Sequence, residues 1–165
     1  MADTKPRRLW EEEMLAEYLV KFHPQDKVLH RVRLGPIENP FPDRSLTEEE
    51  ARMVGAAWRR WADAVVVSLG TLTVIEAAMI PDPGDISRLQ TYLLLVPLTP
   101  ELHFARDYVK RGLLVWAVED RFSQQVAVKA GFEVRIFKPS NWLDYMTTRR
   151  ARERGAPRTP VTVVP

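Results

Sequence analysis

Two carboxylates, Asp63 and Glu76, stand in the most strand-like stretch of the chain, Ala62 to Met79. Val65-Val66-Val67 and Thr71-Leu72-Thr73-Val74-Ile75, rich in β-branched residues, flank Leu69-Gly70, which is the pattern of a β-hairpin. Folding the chain at Leu69-Gly70 pairs positions symmetric about that turn and sets Asp63 opposite Glu76. Directly opposed side chains have Cβ atoms about 5 Å apart, where like charges repel. A proton or a cation between the two acids removes that repulsion, so the pair is a candidate for metal or proton chemistry. A register slip of one residue would turn the two acids to opposite faces.

The elements around the hairpin must position this pair. Trp10, Met14, Tyr18 and Phe22 recur every four residues beside Leu15 and Leu19, which predicts an amphipathic helix ending near His23-Pro24. Glu17 on that helix is an acid that could approach a metal, or simply a solvated residue of the polar face. Val28, His30, Val32 and Leu34 alternate as a first strand, with His30 expected in the core. Pro36, Pro40 and Pro42 stiffen the next connection. Thr47 and Glu50 form a capping box, and Ala51, Val54, Trp58 and Trp61 continue at helical spacing. That spacing makes both tryptophans core or interface anchors rather than base-stacking groups.

After the hairpin, Asp85 is expected to cap a helix over about Ile86 to Val96. Leu113 to Val118 reads as a buried strand, Ser123 as the cap of a short helix closed by Ala130-Gly131, and Phe132, Val134 and Ile136 as a last strand. The order is α/β, with a mixed central sheet of four to five strands flanked by helices.

With the acid pair on the hairpin, this order resembles the PD-(D/E)XK nuclease superfamily and its restriction-endonuclease-like core. Ala62-Asp63 stands for the family's first acidic element and Glu76-Ala77-Ala78 for its Glu-x-Lys. Arg88-Leu89-Gln90-Thr91-Tyr92 stands where one branch carries Gln-x-x-x-Tyr, with Arg in the Gln place. The likeness spans about residues 11 to 138. It implies a metal site formed by Asp63, Glu76 and the carbonyl of Ala77, suited by its oxygen ligands to Mg²⁺ or Mn²⁺. In such a site the metal activates the attacking water and a lysine stabilises developing charge. Ala78 occupies the lysine position and can do neither. Arg88 is the expected substitute cation and catalytic residue, Lys129 a poorer one. Arginine clamps phosphate well but accepts protons badly.

Composition bounds the function further. The chain has 165 residues, 45% hydrophobic and 28% charged, which fits a globular protein of one domain. It has no cysteine, so disulfides, thiolate metal sites and cysteine nucleophiles are excluded. His23, His30 and His103 are too isolated for a zinc site or a Ser-His-Asp triad. There is no apolar run of about 20 residues for a membrane span, and no signal core at the N-terminus. A cytoplasmic or virion location without membrane partners is expected.

Residues 1–8 carry a net charge of +2 and residues 149–165 a net charge of +4, leaving a mildly acidic body. The expected organisation is a basic arm at 1–8, a domain at 9–148 and a Pro-rich arm at 149–165. Arg149, Arg150, Arg152, Arg154 and Arg158 in the second arm could hold nucleic acid or a protein partner. The strand-like Val161-Thr162-Val163-Val164 could add to the sheet edge of another chain. Two functions compete. One is a non-catalytic or weakly catalytic nuclease-fold protein, an oligomeric assembly or DNA-associated module such as a head-tail component of a phage particle. The alternative is an active Mg²⁺-dependent DNA nuclease using Asp63 and Glu76.

Overall fold

The computed structural model describes residues 7–37 and 45–155. The elements follow in the order α1 (Arg7–Phe22), β1 (Lys27–Leu34), α2 (Glu48–Trp58), β2 (Arg60–Ser68), β3 (Thr71–Ala78), α3 (Pro83–Leu95), β4 (Val109–Trp116), α4 (Arg121–Lys129), β5 (Glu133–Ile136) and α5 (Trp142–Gly155). Two short 3₁₀ turns, Val96–Leu98 and Pro100–Ala105, lead from α3 towards β4. The sheet order is β1-β2-β3-β4-β5. β1, β2 and β3 are antiparallel neighbours, whereas β4 and β5 run parallel to β3. This is the expected mixed sheet, with five strands. No helix among the described residues is long and apolar enough to cross a membrane.

Helices cover both faces because β3 and β4 are apolar on both sides. On one face Met14, Tyr18 and Leu19 of α1 and Tyr145 of α5 pack with Ala64, Val66, Ile75, Ala77 and Val115. On the other, Ile86, Leu89 and Tyr92 of α3 and Ala127 of α4 pack with Val65, Leu72, Val74 and Trp116. Gly112 lets α3 approach β4: a Cβ there would lie 2.7 Å from Phe132 and 3.0 Å from Leu89. The β2–β3 turn places Leu69 at φ 43° and Gly70 at φ 75°, the doubly left-handed turn that matches hairpin twist.

Several details differ from expectation. α2 keeps its capping box, in which Glu50 N–H donates to Thr47 Oγ1 and the Glu50 carboxylate accepts from Thr47 N–H. It ends at Trp58, and Trp61 belongs to β2. The buried Arg59 guanidinium pins the junction by donating to both Glu101 oxygens and to the Arg33 carbonyl. His30 is exposed rather than in the core. Asp82, not Asp85, caps α3, since Pro83 suits the first helical position and the Asp82 side chain accepts from Gly84 N–H. Asp120, not Ser123, caps α4, and the Ser123 hydroxyl donates to it.

The expected boundary at residues 148 and 149 falls inside α5. Residues 149–155 read Arg-Arg-Ala-Arg-Glu-Arg-Gly, mostly strong helix formers, and the Arg149–Glu153 pair supports the turn. Arg149 therefore lies against its own domain, beside Trp10, Asp82 and Tyr145, rather than in an extended arm. Arg150, Arg152 and Arg154 share that helix. Residues 1–6, Pro40, Pro42, Arg158 and Val161–Val164 lie outside the described residues.

Candidate functional site

β2 and β3 deliver the acid pair. The ladder runs from Ser68↔Thr71 to Ala64↔Ile75 and stops one position short of the expected Asp63 and Glu76 pair. Regular alternation breaks at Asp63. Ala62 joins Val65 in one core layer, while Ala64 joins Val66 in the other. The β1–β2 ladder likewise passes over Asp63 and its counterpart Arg31, which has the left-handed φ of 49°. Freed from the pleat, the Asp63 carboxylate turns along the hairpin, and its Oδ2 accepts from Ala77 N–H at 2.9 Å.

Glu76 is 6% exposed on β3, beneath the first turns of α3. There Asp85 and Arg88 stand one turn apart, and Tyr92 follows Arg88 by another turn on the same helix face. Arg88 Nε donates to Glu76 Oε1 at 2.6 Å, and the same guanidinium donates to Asp85 Oδ1. Asp85 is fully buried, and its Oδ2 accepts from Trp116 Nε1 at 3.1 Å and from Asp82 N–H at 3.0 Å. One guanidinium thus serves two buried acids.

Burial dominates the electrostatics. It pushes the Glu76 carboxyl up to about 8, helped by the charge of Asp63 and opposed by Arg88. Burial also raises Asp63, against the hydrogen bond from Ala77. It raises Asp85, against its bond to Asp82 N–H and the charge of Arg88. The buried Tyr92 hydroxyl rises for the same reason, with Glu76 and Asp63 adding to the shift. Burial thus favours a proton on Glu76 beside the Arg88 charge.

Of the expected site residues, Glu76 and Arg88 meet under α3, whereas Asp63 lines a cavity with Glu11 and Leu15 of α1 and reaches the hairpin through Ala77 N–H. Tyr92 joins Glu76 and Arg88, as its motif position implies. Lys129 lies on α4 beside Glu119 and Gln125, away from the cluster. Glu17 is used elsewhere, accepting from Ser140 N–H at 2.9 Å at the entry to α5. The α1 acid whose charge reaches Asp63 is Glu11. Asp85 was read as a cap, although the capping box Asp82-Pro83-Gly84-Asp85 identifies it as the third helical residue, turned inward one turn before Arg88.

A divalent cation would have to compete for oxygens that already have partners. Glu76 Oε1 and Asp85 Oδ1 are bound by Arg88, and Asp63 Oδ2 by a backbone N–H. Among the described residues, no group of three or more His, Asp or Glu side chains is placed to hold a metal ion. With Arg88 in this position, the acids fit a guanidinium and not a metal.

No family model matches the chain, and no curated protein matches it. Among solved structures, the chain is similar to a repair endonuclease from Pyrococcus abyssi, with 15% identity, a TM-score of 0.47, and coverage of 84% of this chain and 50% of that one. It is also similar to protein VC1899 from Vibrio cholerae, with 18% identity, a TM-score of 0.40, and coverage of 88% of this chain and 33% of that one. The chain thus corresponds to half of the first protein and a third of the second.

Proposed function

We propose that this chain is a nuclease-fold protein whose acid site is closed by its own arginine, and that it associates with nucleic acid without cutting it efficiently. The observation that carries the reading is the Arg88 guanidinium seated on Glu76 at 2.6 Å and on Asp85. It lies where the family resemblance calls for a metal beside Glu76, and Ala78 leaves the lysine function empty. Loss of one such electrostatic group lowers rates by roughly 10²–10³. The nucleic-acid part draws on β1, which presents exposed Lys27, Arg31 and Arg33 and contains no acid. The proposal does not extend to a phage particle. That expectation drew on two extended basic arms, residues 1–8 and 149–165, and Trp142–Gly155 is helix, while the rest of the second arm lies outside the described residues.

The test is a cleavage assay on duplex and single-stranded DNA with Mg²⁺ or Mn²⁺, using the wild type, Asp63→Ala and Arg88→Ala. The expected result is no turnover, or traces that Asp63→Ala leaves unchanged. Robust cleavage abolished by Asp63→Ala would restore the metal-dependent nuclease with Asp63, Glu76 and the Ala77 carbonyl as ligands. In that case a sharp loss in Arg88→Ala would make Arg88 the substitute for the missing lysine.

A further inference from the structure

Trp61 is the residue that the helical spacing misplaced. On β2 it is 44% exposed, an unusual situation for the largest aromatic side chain on a strand. The two arginines of β1 reach it: Arg33 lies 4.5 Å and Arg31 5.2 Å from its ring centre. Arg33 is its ladder partner. Arg31 is the residue whose strand geometry breaks opposite Asp63, and it also lines a cavity of about 230 Å³ with Asp63, His30, Glu11 and Leu15. The strained backbone therefore places one guanidinium against both the tryptophan and the mouth of the acid site.

Charge sorts what can bind here. The cavity wall carries Asp63, Glu11 and Glu12 against Arg8 and Arg31, so it gives phosphate no net attraction. The exposed edge of β1, with Lys27, Arg31 and Arg33, attracts it. The exposed part of the indole, beside the two guanidiniums, offers an aromatic surface next to the cationic edge. A ligand satisfying all three carries flat aromatic groups on a repeating anionic chain. Stacking on an isolated tryptophan requires an unpaired base, since a duplex hides its base faces.

We infer that Trp61, bracketed by Arg31 and Arg33, is a base-stacking platform for single-stranded nucleic acid at the mouth of the acid site. The inference rests on the nucleic-acid association proposed above, and gives that association a strand preference and an anchor residue.

The experiment measures the binding of fluorescently labelled oligothymidylate and of a blunt duplex to the full-length chain, wild type and variants. Trp61→Ala is expected to weaken oligothymidylate binding on the order of 10- to 100-fold, the range for a lost stacking aromatic, with duplex binding unchanged. Trp61→Phe is expected to restore most of the affinity while abolishing the part of the tryptophan quenching that comes from Trp61. That split separates stacking from a merely structural role. Phe104→Ala, which removes another exposed aromatic under a lysine, is the control and is expected to bind as the wild type does. Equal oligothymidylate affinity in Trp61→Ala and wild type overturns the platform and leaves nucleic-acid association standing. An equal loss for duplex overturns the single-strand preference. Failure of the wild type to bind either probe overturns both the platform and the association, whereas a positive cleavage assay bears only on the closure by Arg88.

Discussion

Arg88→Met removes the guanidinium and keeps an unbranched side chain on α3. Two carboxyls then lose their cation, Asp85 with no exposure and Glu76 with 6%. Removing one partner of a fully buried pair costs about 3–5 kcal/mol, because the remaining charge is stranded. The Arg88 side chain is 48% exposed, so solvent already screens part of its effect and the lower part of that range applies. Protonation offers an escape. Glu76 already binds a proton up to about 8, and loss of the cation raises Glu76 and Asp85 further. Towards acid the carboxyls take up protons more readily, and the cost falls towards about 1 kcal/mol of lost hydrogen bonding. In alkali they must ionise without a counter-charge, and the cost rises to about 3 kcal/mol. The assay is urea unfolding of wild type and variant at about pH 5.5 and about pH 9, with the difference in unfolding free energy as the readout. A penalty that is equal at the two pH values, or larger in acid, would refute the idea that Arg88 neutralises this cluster.

The wild type itself should lose stability as pH rises. Glu76 has a folded pKa raised from 4.5 to about 8, so its contribution is complete below the lower value and disappears through the upper one. Glu76→Gln should flatten the pH–stability profile between those limits, as measured by thermal unfolding across the range. Millimolar Mn²⁺ should leave the wild-type melting temperature unchanged, since the Arg88 charge sits on Glu76 and one oxygen each of Glu76 and Asp63 is engaged; a saturable rise that vanishes in Asp63→Ala would show a metal site coexisting with Arg88. Trp116→Phe leaves one bond fewer on the buried Asp85 and should destabilise by about 1–2 kcal/mol in chemical denaturation. Gly112→Ala forces a methyl against Phe132 and Leu89, and should cost about 1–3 kcal/mol in the same experiment.

Local signals were sufficient where the chemistry is local. The β-branched runs and the left-handed Leu69-Gly70 turn fix the hairpin register from Ala64↔Ile75 to Ser68↔Thr71, so that pairing was legible without any tertiary information, whereas the break at Asp63 was not. The Thr47–Glu50 box and the four-residue period of α1 likewise identify their helices, because caps and amphipathic faces are written within a few residues. Arg88 and Tyr92 could be placed near the acids through the resemblance, but the sequence did not say what Arg88 binds. That was decided by α3 crossing β3 and β4, which lowers the guanidinium onto Glu76 and brings Trp116 to Asp85. Trp61 shows the opposite failure. Its spacing from Trp58 fits a helix, yet α2 ends at Trp58, where the buried Arg59 pairs with Glu101, and the strand begins at Arg60. The long-range partners of charged side chains, which no local period encodes, decided what closes the acid site and mark the junction from which Trp61 faces solvent.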